Sequence, residues 1–304
     1  MDRRNLVKSW SAFAVAAALP RPATSARTAG TATQASVAVS PLVAPNDRPL
    51  AVAFVLAQGA EVVDFAGPWG VFEYTDVPDR DGPAFELFTV AESVAPLKVS
   101  GGLTVMPDHT FENAPVPRII VVPALGGDPS PAMLGWLRKT AAGTDLTMSV
   151  CNGAFALAKA GLLTGRNATA HHGSVALLAA DFPDIHVKRG ARFADAGGVS
   201  TAGGLTSGID LALHVVERYF GREAVERTVN HLEYQGQGWK DPNSNVAYAN
   251  KPISTDAHPI CPICEMEVDK GTTLSEHYHG HVVYFCSEEH KARFDQTPER
   301  FVIP

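Results

Sequence analysis

Leu146–Leu163 reads LTMSVCNGAFALAKAGLL, and in it a single cysteine, Cys151, joins an apolar run to a stretch with helical spacing. Leu146 to Val150 has the continuous apolar character of a buried strand. From Gly153 onward, Ala154, Leu157 and Ala158 recur at helical intervals until Gly161 closes the segment. A strand running straight into a helix is half of a βα unit, and the same alternation extends in both directions. PLAVAFVLA from Pro49, FELFTVA from Phe85, RIIVVPA from Arg118 and ATA from Ala168 predict further strands. Between and after them lie helical patterns over Val62 to Glu73, Ser130 to Ala142, Gly153 to Ala160 and Ser174 to Ala180. A late pair follows, Thr206 to Tyr219 and Arg222 to Tyr234, divided by Gly221. Ser130 stands as N-cap before Pro131. Alternation of this kind predicts an α/β fold: a parallel sheet sandwiched by helices, with ligands bound beyond the carboxyl ends of the strands.

The bulk properties agree. With 304 residues, 45% hydrophobic and 19% charged, the chain suits a soluble protein with one large core and a smaller unit. A net charge of -7 supplies no electrostatic footprint for nucleic acid, and no apolar run approaches the roughly 20 residues that span a bilayer. MDRRNLVK sets Arg3, Arg4 and Lys8 ahead of the apolar SAFAVAAALP and the small-residue PATSA. That order predicts an export signal over residues 1–26, a basic amphipathic leader being the alternative. The paired arginines resemble the twin-arginine motif, which implies export of a folded protein to a bacterial periplasm. Residues 27–47 read as a flexible linker, 48–238 as the α/β domain, 239–257 as a second linker and 258–304 as a small separate unit.

Cys151 precedes a helix, where unpaired N–H groups and the positive end of the helix dipole favour thiolate over thiol. Ser149, Gly153 and Ala154 are small enough for the tight strand-to-helix turn of a nucleophile elbow. The alternative is a small core residue. Asp64, within the apolar GAEVVDFAGPWGVF, needs a partner. If the first strand lies beside the strand that carries Cys151, the acid reaches the sulfur with a raised pKa and exchanges a proton with it; otherwise it caps its helix. Gly126 and Gly127, after RIIVVPAL, allow backbone N–H groups to approach a developing anion.

VCNGAFALAKAGLLTGRNATAHH and STAGGLTSGIDLALHVVERYFGREAVER resemble the ThiJ/PfpI family of the class I glutamine amidotransferase-like superfamily, over about Pro49 to Gln235. The nearest branch by motif holds isonitrile hydratases and the amidase-like domains of AraC-type regulators. The resemblance implies a flavodoxin-like sandwich, a homodimer, a small-molecule substrate, Cys151 as nucleophile and Asp64 as its acidic partner. It implies no cofactor in the α/β domain. Peptidase-like members follow the cysteine with histidine and isonitrile hydratases with threonine; Asn152 stands here, able to donate a hydrogen bond but unable to act as base. That argues against a protease and leaves specificity for isonitriles open. His171 matches a histidine of the family pattern and reads either as a site residue or as a structural one; His172 receives no role. Asp210 is expected to support the elbow or cap its helix.

The tail carries C-x2-C, a gap of 21 residues and C-x3-H, so that Cys261, Cys264, Cys286 and His290 form a candidate metal site. Such a set suits Zn, or Cu among softer ions, and a unit of about 50 residues needs a staple of this kind. A disulfide between two of the three cysteines is the alternative. CPICEMEVD, YHGHVVYFCS and ARFDQTPERF resemble a YHS domain, in which cysteine usually stands at the position of His290. His277, His279 and His281 flank a hairpin turn at Gly280 and read as a second, weaker metal site or as exposed residues without a ligand. Ser287 is the expected N-cap of the last helix. The whole predicts an exported cysteine-dependent hydratase or hydrolase acting on a small electrophilic carbon compound, or a non-enzymatic small-molecule, redox or metal-responsive binding protein.

Overall fold

The structure, a computed structural model, describes residues 40–45, 47–271 and 274–301. The expected export signal and most of the first linker lie outside these residues. Seven strands form the central sheet: β1 (Leu50–Val55), β2 (Phe85–Ala91), β3 (His109–Thr110), β4 (Ile119–Val122), β5 (Leu146–Ser149), β6 (Phe193–Asp195) and β7 (Val199–Ala202). Their order is β6-β7-β5-β4-β1-β2-β3. Every pair is parallel except β6 with β7 at one edge. This is the flavodoxin-like sandwich expected from the alternation of strands and helices.

Two faces explain why the strands read as unbroken apolar runs. Val52 and Phe54 of β1 join one core layer with Val71, Phe72, Leu211 and Val215, from α1 (Val62–Glu73) and α5 (Ser207–His231). Ala53 and Val55 join the other, with Leu137, Leu157 and Leu178 from α2 (Pro131–Ala141), α3 (Gly153–Lys159) and α4 (Val175–Asp181). Both faces are covered, so alternation of polar and apolar residues disappears. Ser130 caps α2 as expected, its hydroxyl accepting from the Met133 N–H at 3.1 Å. The late pair of helices, labelled together as α5, is divided at Gly221 as expected, where a φ of 81° interrupts the helix.

Two expectations need correction. ATA does not enter the central sheet: Asn167–Ala168 pairs with His186–Val187 in a separate two-stranded ribbon. The place beside β5 belongs to β7, VSTA, whose Ser200 and Thr201 are as buried as its apolar residues. Nor does β1 lie beside β5; β4 runs between them.

Beyond Gly238 the chain stays tied to the α/β unit. The Pro242 carbonyl accepts from the Arg192 N–H at 2.7 Å, and Tyr248 stacks on His172 at 4.2 Å. The last unit holds β8 (Leu274–Tyr278) and β9 (His281–Phe285), antiparallel about a turn at His279 and Gly280, followed by α6 (Glu288–Gln296). Ile263, Phe285, Phe294 and Phe301 make its small core, against which Leu177 and Ala180 of α4 pack. Arg189–Glu265 and Arg293–Asp181 ion pairs flank that contact. No helix among the described residues is long and apolar enough to cross a membrane.

Candidate active site and metal centre

Register decides where the cysteine lands. Val122 of β4 pairs with Ser149 of β5, so the two strands end level and the loop after β4 lies against the turn that holds Cys151. Cys151 has φ 58°, a left-handed conformation that an L-residue rarely adopts outside strained functional turns. Its N–H holds that conformation by donating to the carbonyls of Ala202 at 3.2 Å and Gly203 at 2.9 Å, just past β7. Gly153 makes the turn possible, because a Cβ there would lie 2.1 Å from the Val122 carbonyl oxygen and 2.8 Å from that of Pro123. These features are those of a nucleophile elbow.

Asp64 sits in the first turn of α1, fully buried, and does not cap it; the N-cap residue is Glu61. Its Oδ2 accepts the Ala124 N–H at 3.0 Å, while Oδ1 has no full hydrogen-bond partner. The acid and the thiol interact even though their strands are separated by β4, because β1 and β5 both end at this edge. Burial raises the Asp64 pKa to about 6, against the opposing pull of the Ala124 N–H. Burial, then the negative charge of Asp64, raises Cys151 to about 12. The expectation of a resting thiolate is thereby reversed: near neutral pH the pair is a thiol beside a carboxylate. The helix terminus that favours an anion is outweighed by loss of water around a residue only 7% exposed.

The N–H groups that face the sulfur and lower its pKa belong to Asn152 and Leu205. Gly126 takes a different part from the one expected. Its N–H already donates to the Gln58 carbonyl at 3.1 Å, and a Cβ on it would lie 2.8 Å from the Gly59 Cα. Two backbones cross there, which is why glycine is needed, and that N–H is committed elsewhere. Gly127 follows on the exposed turn. Leu205, with φ 48°, was missed; its signal was the Gly203-Gly204 pair after β7, the same pattern that drew attention to Gly126 and Gly127. Glu61, which raises the pKa of both Asp64 and Cys151, was missed as well. Asn152 is exposed beside the thiol and makes no side-chain cap bond to α3.

The His171 ring packs on Gly204, where a Cβ would meet its Cδ2 at 2.4 Å, and its Nδ1 accepts the Gly173 N–H at 3.2 Å. Burial lowers its pKa, so it stays a neutral ring behind the Gly204-Leu205 turn. Asp210 neither caps α5 nor touches the sulfur; it gathers Arg192 Nε at 2.6 Å, the Trp239 N–H at 2.8 Å and the Tyr234 hydroxyl at 3.1 Å.

The model of the DJ-1/PfpI family matches residues 51–218, the span that holds the sheet, the elbow and the acid. This chain belongs to that family. Isonitrile hydratase of Pseudomonas putida is 33% identical over 193 residues, covering 61% of this chain and 78% of that protein. The HTH-type transcriptional regulator CdhR of Pseudomonas aeruginosa is 31% identical over 130 residues, 41% of this chain but only 38% of its own length. Among solved structures, a ThiJ/PfpI family protein from Pseudomonas syringae superposes with a TM-score of 0.56 at 26% identity, covering 64% of this chain and 78% of that one.

Outside the DJ-1/PfpI span, Cys261, Cys264, Cys286 and His290 bring their ligand atoms within 4.8 Å of one another. Cys264 Sγ and Cys286 Sγ are 3.6 Å apart, Cys261 Sγ and His290 Nδ1 3.6 Å, Cys286 Sγ and His290 Nδ1 3.1 Å. All three cysteines are free, and a disulfide would need about 2.05 Å between sulfurs. Thiolates at about 2.3 Å from a tetrahedral ion lie roughly 3.8 Å apart, so the spacing fits a bound metal. Hydrogen bonding from Cys264, and then from His290, pulls Cys261 down to about 3, the thiolate state that a metal requires. Ser287 accepts the His290 N–H at 3.2 Å, capping α6 and fixing the ligand it carries. His277, His279 and His281 are exposed at the hairpin tip and join no metal-binding group among the described residues.

Proposed function

We propose that the α/β unit adds water to a small electrophilic carbon compound, with an isonitrile or an amide-like or carbonyl analogue as substrate. The observation that carries this reading is the pairing of an elbow cysteine with a buried acid whose Oδ1 is left unpartnered beside it. A thiol at about 12 next to a carboxylate at about 6 is poised for transfer when substrate arrives. For an isonitrile, Asp64 takes the Cys151 proton and passes it to the terminal carbon as the sulfur bonds there. Water then adds to that carbon as Asp64 carries one of its protons to the nitrogen; the remaining hydroxyl proton passes through Asp64 to sulfur as the C=O forms and the C–S bond breaks, releasing a formamide and the thiol. The Asn152 and Leu205 N–H groups steady charge on sulfur in both halves, and the Asn152 side-chain amide holds the substrate nitrogen.

Redox sensing fits this site poorly, because a sensor thiol is ionised and open to peroxide, whereas this one is protonated and covered. The proposal extends to the rest of the chain: export by a twin-arginine route, assembly as a homodimer, and a YHS-like tail holding one zinc through its three thiolates and His290. Zinc there is structural, since all four positions of a tetrahedral site are filled by protein. A panel of isonitriles, amides and 2-oxoaldehydes tests the chemistry. Cys151→Ser is expected to abolish turnover with thermal stability intact; turnover that survives this change defeats the assignment. About one equivalent of metal in protein purified without chelators is expected for the tail.

A further inference from the structure

We propose that Glu61 makes this reaction site select against anionic substrates, so that neutral and cationic molecules are its class. The proposal rests on the reading of Cys151 as the reacting atom. Glu61 precedes Asp64 by one helical turn, and both hang on Ala124: the Glu61 N–H donates to the Ala124 carbonyl at 2.9 Å, and the Ala124 N–H donates to Asp64 at 3.0 Å. Ser100 locks the Glu61 side chain. Its hydroxyl accepts the Val62 N–H at 3.0 Å and donates to Glu61 Oε1 at 2.9 Å, while its own N–H donates to the Ala60 carbonyl at 2.9 Å.

A carboxylate held in this way, half-buried, keeps its charge near the sulfur where a solvent-borne one would swing away and be screened. Beyond it lies the buried carboxylate of Asp64, which adds its own charge on the side of the thiol. Of the nearby cations, Lys98 is tied to neutral oxygens of its own loop and Arg192 is paired with an acid. Lys98 Nζ donates to Thr104 Oγ1 at 2.7 Å and to the Gly102 carbonyl at 3.3 Å, and Arg192 is held by Asp210 at 2.6 Å. A molecule approaching Cys151 therefore meets two carboxylates, each of which opposes a second negative charge.

Charged thiol reagents test this without requiring turnover. Methyl, sulfonatoethyl and trimethylammonioethyl methanethiosulfonates are reacted at low salt with the full-length protein, and modification of Cys151 is followed by peptide mass spectrometry so that the tail cysteines do not contribute. The cationic reagent is expected to exceed the anionic one by on the order of tenfold or more after normalisation to the neutral reagent. Glu61→Gln, which keeps a hydrogen-bond acceptor for Ser100, is expected to shrink that ratio severalfold. An equal ratio in both proteins, or an anionic reagent that reacts as fast as the cationic one, overturns the proposal. Matched cationic and anionic isonitriles then extend the comparison to kcat/KM. Discrimination by the reagents without turnover of any substrate would leave the charge selection standing and remove the hydratase reading.

Discussion

Cys151 and Cys261 are one residue type carried to opposite proton states. Both belong to buried clusters, yet Cys151 is pushed up to about 12 and Cys261 pulled down to about 3. Proximity to a helix start does not separate them, because Cys151 precedes α3 and Cys286, whose pKa is raised, precedes α6. Neighbours decide. Beside Cys151 stands an acid, which penalises a second negative charge; beside Cys261 stand a thiol and an imidazole that donate to it. The first arrangement stores a proton for chemistry, and the second holds one sulfur ionised, by donation from its neighbours, to receive a cation.

The largest test of this contrast is labelling. In protein stripped of metal at pH 7, iodoacetamide is expected to modify Cys261, the ionised thiol of the tail, at least roughly a hundredfold faster than Cys151, read by peptide mass spectrometry. Comparable rates would mean that the elbow sulfur is ionised at rest. Next comes Gly153→Ala, which drives a methyl group to 2.1 Å from the Val122 carbonyl oxygen, a backbone atom that cannot step aside. A loss of about 3 kcal/mol or more is expected in denaturant unfolding of the α/β unit, with metal content of the tail unchanged.

Asp64→Asn sharpens the comparison from the acid's side. The folded state binds a proton at Asp64 more tightly than the unfolded chain does, since its pKa rises from 3.8 to about 6. Its contribution to stability is thus fully present below pH 3.8 and is lost as pH rises through about 6. Asparagine removes that loss, so the variant is expected to be more stable by about 1–3 kcal/mol at pH 7 and no more stable at pH 3.5, in thermal scans across pH. Labelling of Cys151 is expected to quicken, because the negative charge that opposes its ionisation is gone, while turnover disappears. A variant inactive yet more stable would mark Asp64 as strained for function.

Legibility in the sequence followed local chemistry. Cys151, Gly153 and the limits of α1 were readable because a strand, a small-residue turn and a helical period lie side by side in the chain. β7 was hidden, since Ser200 and Thr201 sit in the sheet without apolar side chains to announce them. ATA carried the apolar signal but only a ribbon's worth of pairing. The metal set was legible from spacing, because ligands from a knuckle and a helix start have fixed separations, and all four converge. Proton states were not legible: the rise at Cys151 comes from burial and from the charge of Asp64, a residue far away in the chain, which no local pattern shows.

The smallest expected effect concerns the joint between the two regions. The knuckle that carries Cys264 continues into Glu265, whose carboxylate meets Arg189 at 2.7 Å with side chains only 13% and 20% exposed. Arg189→Ala leaves Glu265 without its cation but keeps the Arg293–Asp181 pair and the packing of Leu177 and Ala180 on α4. With a second contact in reserve at the same joint, a loss of about 1 kcal/mol is expected, confined to the tail. Hydrogen exchange should quicken at residues 261–266 while the Cys151 labelling rate stays as it was. A change at Cys151 in this variant would show that the metal knuckle reaches the elbow through the chain of contacts from Glu265 and Met266 to Gly173, His171 and Gly204, in which Met266 lies 3.7 Å from the Cβ position of Gly173. Silence there would mean that two sulfur sites, opposite in chemistry, share a chain without sharing a state.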